Sequence, residues 1–385
     1  MAKGKVVLAY SGQISSEDLN DTDEGYEVVC CLANVGQEED WDAVEKKALK
    51  IGATKMVIED LQKEFVEKLC FRAVQCNAQY EGRYLLGTAL ARPVIARCLM
   101  RTAEREGCDF VSHGCTGKGN DQVRFELAAY AIKPSIKIIA PWRESRFFNR
   151  FKGRNDLLDY AAETGLPVTS TKAKPWSMDA NLAHCSYEAG VLENEDQSPP
   201  EDMWTMTDDP QKAPNEPTDI VISFEKGIPT KLVTPQKTFT DSVQLFKELN
   251  QIGRVHGYDS PALSILRLAH LDLEGLTLDS QVRALRDQFI THNWSIQLYS
   301  GLYFAPERQF TEECLLISQA NVNGEVRLRC YKGNVYILGR SSSSRLYSQE
   351  EASMDSLDDF NPEDTTGFIK IQSIRLKKDP DQWAK

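Results

Sequence analysis

The chain has 385 residues, with 45 Lys and Arg against 57 Asp and Glu, so its net charge is −12 at pH 7. At about 150 residues per domain, this length predicts two or three domains. Nucleic acids and anionic membranes are themselves negatively charged, so the acidic balance argues against either as a partner. No apolar run approaches the ~20 residues that cross a bilayer, and no signal region opens the sequence. We therefore expect a soluble, cytoplasmic protein.

Ten cysteines are scattered along the chain, with no CxxC pair and no Cys/His cluster at zinc spacing. Most of them lie in apolar surroundings, such as Cys30 and Cys31 within a Val- and Leu-rich run. We expect reduced thiols in the core or just below the surface, and no metal site.

Short β-rich runs alternate with longer helical stretches over the first 165 residues. Continuous apolar strands separated by helices predict an α/β fold with a doubly wound parallel sheet covered on both faces. Ligands bind such sheets at the carboxyl ends of the strands. The predicted strands are 5–10, 27–32, 55–58, 110–112 and 136–140, and the predicted helices are 38–51, 61–73, 84–106 and 121–131.

A boundary is predicted near Gly165-Leu166-Pro167, and the half of the chain after it reads as α+β. The acidic, proline-rich stretch 193–217 predicts an extended surface segment that is not packed. A hairpin is predicted around Lys332-Gly333-Asn334, between strands at 326–331 and 335–338, and a last short strand at 368–374. Further elements are predicted as strands at 220–224 and 230–233 and as helices at 242–249 and near 278–291.

The most unusual local run is HGCTGKGND at 113–121, in which three glycines follow a predicted strand. Asn120 and Asp121 are good N-caps for the helix behind them. Backbone N–H groups in such a turn can bind a phosphate or a carboxylate, helped by the helix dipole and by Lys118. The spacing is not that of a Walker A loop, so the turn alone leaves ligand binding and simple loop structure equally open.

Eight motifs together resemble the argininosuccinate synthase family of the PP-loop ATP pyrophosphatase superfamily. The resemblance implies a nucleotide-binding domain of the PP-loop, adenine nucleotide hydrolase-like type at 1–165 and a synthetase/multimerisation domain at 166–360. It further implies a C-terminal segment at 361–385 that acts as an oligomerisation arm in a homotetramer. The motifs are LANVGQEEDW, RYLLGTALARP, HGCTGKGNDQVRFE, NRFKGRNDL, PWSMD, HCSYEAG, GNVYILGRSS and DTTGFI.

The reaction that this resemblance implies joins citrulline to aspartate in arginine biosynthesis. The citrulline ureido oxygen attacks the α-phosphate of MgATP, which gives citrullyl-AMP and pyrophosphate, and the aspartate amine then displaces AMP. Such a reaction depends on positioning and charge screening more than on a protein nucleophile, so no catalytic residue is assigned. ATP is implied as a substrate, accompanied by Mg²⁺.

The resemblance also implies a ligand at each matched position. ATP is implied at Ser11, Gly12, Ala33, Gly114 and Gly117. Aspartate is implied at Thr116, Asn120 and Asp121. Citrulline is implied at Tyr84, Asn120, Arg124, Ser177, Ser186 and Tyr258. Ala89 stands where many members carry Ser, so one hydroxyl is missing.

Two segments depart from the family pattern. The family opens with a strand followed by an SGGxDxS loop, but here Ser11-Gly12 is followed by QISSEDLNDTDE at 13–24, with five acids and no Lys or Arg. A triphosphate would meet like charge there. The second departure is a gap between Gly257 and Tyr258, where the family carries a further segment with a GRxDxxENR-like run and a glutamate contact to citrulline.

Three interpretations stay open at this point. The chain is an active synthase with unusual loops, a catalytically dead paralogue that acts as a binding or regulatory subunit, or a mispredicted gene model of an active synthase. The lesions have clean edges in an otherwise near-complete match. From the chain as written we expect little or no ATP-dependent turnover.

Overall fold

The computed structural model describes residues 3–11, 25–116, 119–152, 156, 159–160, 163, 176–258, 260–348 and 361–378. Several positions discussed above lie outside the described residues, namely Gly12, Gly117, the 13–24 segment and the predicted boundary at 165–167. The chain forms two compact units, Met1–Ser344 and Arg345–Lys385.

The first sheet has five strands in the order β3-β2-β1-β4-β5. Every neighbouring pair in it is parallel, which confirms the predicted doubly wound sheet, and each predicted strand overlaps an observed one. The strands are β1 Lys5–Ala9, β2 Glu27–Asn34, β3 Lys55–Asp60, β4 Phe110–His113 and β5 Lys137–Ile139.

Both faces of this sheet are buried. Alternate residues of β1 and β2 enter different apolar clusters, with Val7 and Val29 on one face and Val6 and Val28 on the other, as the two-residue period of a strand requires. The helices are α1 Trp41–Ile51; α2, made of Gln62–Glu64, a π-helical stretch Phe65–Cys70 and Phe71–Gln75; α3 Gly87–Glu106; α4 Asp121–Ile132; and α5 Ser145–Arg150.

Helix α3 begins three residues later than the sequence predicts. Tyr80 and Tyr84 close a tight turn through backbone hydrogen bonds of 2.8 and 3.1 Å. Leu86 then adopts a left-handed conformation with φ 64°, which a helix cannot contain, so the helix starts at Gly87.

The second half of the chain builds a mainly antiparallel core. Its five-stranded sheet has the order β10-β9-β8-β11-β12, and β6 and β7 form a separate two-stranded hairpin. The strands are β6 Ser177–Ala180, β7 Cys185–Glu188, β8 Thr218–Glu225, β9 Ile228–Val233, β10 Thr238–Phe239, β11 Gly324–Tyr331 and β12 Asn334–Ser341. The helices are α6 Ser242–Val255; α7 Pro261–Thr277; α8, made of Ser280–Leu285, a π-helical stretch Arg286–Thr291 and His292–Tyr299; and α9 Pro306–Gln319.

The predicted hairpin is confirmed between β11 and β12. Its two turn residues, Lys332 and Gly333, both have positive φ, at 43° and 75°. Such a two-residue turn matches the twist of antiparallel strands. The predicted surface segment 193–217 contains no helix or strand beyond a 3-10 turn at Gly190–Glu193, but Met203 and Ala213 are buried, so it is anchored to the core.

The strand predicted at 368–374 is wrong, because this stretch lies inside a helix, α10 Pro362–Lys377. The Asn361 side chain caps the helix by accepting from the Glu363 N–H, and Pro362 occupies the first turn. Acids in the first turn and bases in the last complement the helix dipole. These terminal signals outweigh the β-branched residues in the middle.

A buried ion pair joins three helices of the second half, α7, α8 and α9, to α2 of the first half. Arg286 donates to both carboxylate oxygens of Glu274, and both side chains are fully buried. Arg286 also donates to the Gln75 carbonyl at 3.0 Å, and Gln319 donates to Glu274 at 2.9 Å. Two charges that are removed from solvent are tolerated only when their remaining hydrogen-bonding groups also have partners. The Gln75 and Gln319 contacts supply these partners for Arg286 and Glu274.

Arg286→Met should lower the free energy of unfolding by about 3–5 kcal/mol, because it leaves the Glu274 carboxylate buried without its cation. The matched control is Arg329→Met, which removes an equally bidentate pair with Asp219, at 2.7 and 2.8 Å, from the surface. That loss should stay below about 1 kcal/mol. Urea unfolding of the wild type and the two variants measures both losses of free energy. Equal losses would contradict the stabilising role assigned to the buried pair.

Candidate active site

Three of the positions assigned to ATP lie at one edge of the first sheet. The strand order reverses between β1 and β4, and ligands bind sheets of this class at the carboxyl ends of the strands beside such a reversal. Ser11 follows β1, Gly114 follows β4, and Ala33 is near the end of β2. Because Ala9 pairs with His113 in register, the ends of β1 and β4 are level. The structure therefore brings Ser11, Ala33 and Gly114 to the same edge.

The loop after Ala33 is held by its own side chains. Gln37 donates to the Ala33 carbonyl at 2.8 Å and accepts from the Val35 N–H at 2.9 Å. Gly36 has φ 97°, and a Cβ on it would lie 2.3 Å from the Leu182 side chain. Only glycine allows this approach of the β6–β7 connection to the sheet edge.

His113 anchors the start of the glycine-rich turn. It is 1% exposed, and its Nδ1 accepts from the Cys115 N–H at 3.4 Å. The proton is thereby assigned to Nε2, which lies 3.0 Å from a Glu126 oxygen. Burial raises the pKa of Glu126, but His113 and Arg143 outweigh it and hold that pKa below its ordinary value. Glu126 is therefore ionised and keeps His113 in place.

Arg92 of α3 connects two parts of the molecule. Its Nη2 donates to Asp121 at 2.7 Å and to Asp179 at 2.6 Å, while Arg124 donates to the other Asp121 oxygen at 2.9 Å. Burial raises the pKa of Asp121, but the two guanidinium groups outweigh it and hold the pKa below its ordinary value. Asp121 is therefore an ionised carboxylate at the N-terminus of α4.

Arg124 has a second set of partners. Its Nε and Nη2 donate to the Tyr299 carbonyl at 3.0 and 2.8 Å, and its guanidinium lies 5.2 Å from the Tyr299 ring centre. That ring stacks on Tyr80 with centroids 3.7 Å apart. The assigned Arg124 is thus held between α4 and the end of α8, with its guanidinium oriented by both.

Tyr84 lies at the N-terminus of α3, against the β6–β7 hairpin. Its hydroxyl accepts from the Thr88 N–H at 3.1 Å, and the Thr88 hydroxyl lies 2.8 Å from His184 Nε2. A Cβ on Gly87 would meet the His184 ring at 2.3 Å, so the helix can approach the hairpin this closely only with glycine there. Asn181 donates to the Gly87 carbonyl at 3.2 Å.

The hairpin brings the two assigned serines to this region. Ser186 pairs in register with Asp179, and Ser177 pairs with Glu188. Because Asp179 also accepts from Arg92, both serines belong to the strand pair that Arg92 ties to α4. Arg92, Asp179 and His184 were not among the residues assigned from the sequence. The available signal was their position inside the motifs RYLLGTALARP, PWSMD and HCSYEAG.

The remaining assigned positions have other surroundings. Thr116 and Asn120 are exposed, and the Asn120 carbonyl accepts from the Arg124 N–H. Tyr258 follows α6, where its carbonyl accepts from Thr207 at 3.0 Å. Burial raises the pKa of its phenol. The contacts of Tyr258 thus involve the second half of the chain rather than the Arg92 network.

The described part of the chain contains no cluster of side chains suited to binding a metal ion. No group of three or more His, Cys, Asp or Glu there could hold an ion. We therefore derive no step from the Mg²⁺ that the resemblance implies. Each helix in the same described ranges is too short or too polar to span a bilayer.

The parallel sheet, with its strand order reversing between β1 and β4, places the chain in the doubly wound α/β class of proteins. The family model for the arginosuccinate synthase N-terminal HUP domain matches residues 5–167. The model for the arginosuccinate synthase C-terminal domain matches 176–258 and 256–379. The chain belongs to the argininosuccinate synthase family, whose members are ligases that form C–N bonds.

Curated relatives agree over almost the whole chain. Argininosuccinate synthase of Saccharomyces cerevisiae is 53% identical, over 98% of this chain and 97% of its own length. That of Schizosaccharomyces pombe is 52% identical, over 97% and 96%, and that of Homo sapiens is 47% identical, over 98% and 97%. A solved structure described as a predicted subunit of tRNA methyltransferase from Methanocaldococcus jannaschii is 13% identical, with a TM-score of 0.27. The match covers 43% of this chain and 94% of that one.

Asp121→Asn should lower the free energy of unfolding by roughly 1.5–3 kcal/mol at pH 7, because two charge-assisted hydrogen bonds are weakened. The pKa of Asp121 is lowered by folding, so its stabilisation is present above the unfolded value of about 3.9 and is lost as the pH falls through the folded value. The gap between wild type and Asp121→Asn should therefore shrink below about pH 4.

The control for this pH dependence is Asp109→Asn, at an exposed aspartate before β4. It should change the free energy of unfolding by less than about 0.5 kcal/mol at either pH. Urea titrations at pH 7 and at about pH 3, which lies below the unfolded Asp value of about 3.9, provide the measurement. A gap for Asp121→Asn that does not change with pH would contradict the assigned ion pairs.

Proposed function

We propose that the site ligates citrulline and aspartate at the expense of ATP, releasing AMP and pyrophosphate. The observation that carries this proposal is the Arg92 network. It brings Asp121, assigned to aspartate, together with Arg124 and the Ser186 strand, both assigned to citrulline. The two amino acids would then bind side by side, as a reaction between them requires.

The nucleotide is proposed to bind across the carboxyl edge of β1, β2 and β4. Ala33 would lie beside the adenine, and the turn that begins at Gly114 would approach the phosphates. In support, this turn leads directly into α4, whose N-terminal N–H groups and dipole favour an anion.

The proposed chemistry uses positioned charges rather than a protein nucleophile. Ionised Asp121 would accept hydrogen bonds from the aspartate ammonium, and Arg92 would keep that carboxylate oriented. Arg124 and the two hairpin serines would orient citrulline so that its ureido oxygen faces the α-phosphate. Holding reactants in attack geometry contributes several kcal/mol to such a step.

We further propose that the chain as written turns over little ATP. The segment 13–24 places five acids and no base where the family has its phosphate-binding loop. The match to the C-terminal family model also breaks into two pieces at 256–258, where the citrulline segment is expected. The alignment with the S. cerevisiae relative spans 406 positions, 21 more than the 385 residues of this chain.

The join at 257–258 is a well-formed helix end. The Tyr258 N–H donates to the Gly253 carbonyl and the Gly257 N–H to the Arg254 carbonyl, both at 2.9 Å, which is the Schellman arrangement. Gly257 has φ 74°, and a Cβ there would lie 2.8 Å from Pro210. This local order favours a chain that folds without the missing segment.

Pyrophosphate release from ATP with citrulline and aspartate tests the function directly. We expect the rate to be lower than that of the S. cerevisiae relative by ~100-fold or more, since losing even one hydrogen-bond donor to a developing oxyanion costs about 10²–10³ in kcat. Turnover near that of the relative would contradict the proposal that segment 13–24 disables the site.

Two repaired proteins separate the two lesions. Replacing 13–24 by the corresponding loop of the S. cerevisiae relative should restore ATP binding in equilibrium dialysis without full turnover. Inserting that relative's segment between Gly257 and Tyr258 as well should restore turnover. If neither repair changes ATP binding or turnover, the lesions are not the cause of the loss.

The two alternative origins have their own readouts. If the chain is a binding or regulatory subunit, calorimetry should detect binding of aspartate or citrulline, and no pyrophosphate should be released. The intact contact between Arg92 and Asp121 favours such binding. Sequencing the transcript across codons 12–25 and 257–258 tests the mispredicted gene model. An encoded SGGxDxS-like loop there would show that the chain as written is not the natural protein.

We also propose a homotetramer in which α10 acts as the oligomerisation arm. Its apolar side chains are 58–68% exposed within the C-terminal unit, and exposed apolar patches mark interaction sites. The exposed residues are Phe368, Ile369, Ile371, Ile374 and Leu376. Deleting 361–385 should lower the number of chains per particle, obtained by light scattering as the particle mass divided by the mass of one truncated chain, and an unchanged number would contradict this role.

A cytoplasmic location is proposed as well. All ten cysteines are free thiols in the structure, which suits a reducing compartment. Cell fractionation tests the location, and recovery with secreted proteins would contradict it.

A further inference from the structure

Two buried thiols touch each other between the first sheet and α3. Cys31 on β2 and Cys98 on α3 have their sulfurs 3.6 Å apart, although 67 positions separate them in the chain. Cys31 is 4% exposed and Cys98 is fully buried. One turn further along α3, the Thr102 hydroxyl lies 3.5 Å from the Cys31 sulfur.

The two thiols differ in acidity. The hydrogen bond with Cys98 lowers the pKa of Cys31, burial opposes this, and Thr102 adds to the lowering. The pKa of Cys98 is raised by the same contact and by burial. Since the thiolate is the nucleophile in sulfur chemistry, Cys31 is the attacking partner and Cys98 the resolving one.

A charged surface cluster covers this pair. The Glu59 carboxylate lies close enough to Cys98 to add to the rise in the pKa of its thiol. It also pairs with Arg105 at 3.0 Å and with Arg101 at 3.5 Å, and these two arginine side chains are about half exposed. Glu59 disfavours the Cys31 thiolate electrostatically and raises its pKa, and Arg105 offsets part of this effect. The thiols therefore lie one side-chain layer below solvent, within reach of a small oxidant.

We propose that Cys31 and Cys98 form a redox-modifiable pair that closes to a reversible disulfide when the protein meets a peroxide. A disulfide is about 2.05 Å long, so the sulfurs must approach by about 1.5 Å. No third Cys, His, Asp or Glu in the described ranges completes a metal site here, so metal binding does not compete for the pair. Formation of the cross-link does not require that the protein catalyses the proposed ligation reaction.

The chemistry balances with hydrogen peroxide as the oxidant. The Cys31 thiolate attacks one peroxide oxygen, the O–O bond breaks, and water leaves with the thiol proton, giving a sulfenic acid on Cys31. The Cys98 sulfur then attacks the Cys31 sulfur, the S–O bond breaks, and a second water leaves with the Cys98 proton. Two electrons pass from the sulfurs to the peroxide, and a thiol reductant reverses the change.

The disulfide would tie the strand that ends beside Ala33 to the helix that carries Arg92. It would thereby fix the spacing between the ATP edge of the sheet and the Arg92 network. This consequence follows from the positions of β2 and α3 alone.

Peroxide titration of the reduced full-length protein tests the pair. Thiols are counted after denaturation, and the non-reduced digest is mapped by mass spectrometry. We expect two of the ten thiols to be lost, a peptide linking Cys31 to Cys98, and full recovery with dithiothreitol. The oxidised protein should also melt at a higher temperature, because the cross-link closes a long loop of the unfolded chain.

The matched control is Cys30→Ala. Cys30 precedes Cys31 on β2 and is 2% exposed, but it faces the opposite cluster, so this variant should still lose two thiols. Cys31→Ala and Cys98→Ala should lose no pair and show no reversible rise in melting temperature. A link that forms only after denaturation, or two thiols lost without the Cys31–Cys98 peptide, would overturn the proposal.

Discussion

The guanidinium of Arg92, whose side chain is only 13% exposed, is the constraint on which the site depends. Its Nη2 lies between the carboxylates of Asp121 and Asp179, and it leaves α3 to reach both α4 and the β6–β7 hairpin. A buried charge is stable only with such partners, so the three elements must stay together for any of them to be satisfied. The orientation of Arg124 follows, because Asp121 is shared between the two arginines.

The proposed amino-acid site and the proposed ATP site differ in how well the residues of this chain suit their ligands. The amino-acid side has its ionised carboxylate, its oriented arginine and its paired strands in place. In the ATP site that we propose, the segment 13–24 would bring five acids close to the triphosphate. The overall charge of −12 is therefore less informative than its placement, since electrostatic repulsion acts most strongly at short range.

Local sequence patterns predicted the first sheet well, because strands buried on both faces are continuous apolar runs. The same reasoning did not find α7, although its buried residues Leu266, Ala269, Leu273 and Thr277 recur at helical spacing. It also did not find α9, whose exposed Phe310 and Ile317 blur the apolar face. At 368–374 the β-branched residues predicted a strand, but caps and terminal charges outside that window made it a helix.

The sequence by itself determined the family and the parallel sheet, because motifs and periodicity are properties of neighbouring residues. Only the tertiary structure decided that Arg92 meets Asp179, 87 positions away, and that Cys31 touches Cys98. Such contacts arise when helices pack on a sheet, and side-chain direction there depends on register and crossing geometry. These quantities are set by the whole core, and no local pattern encodes them.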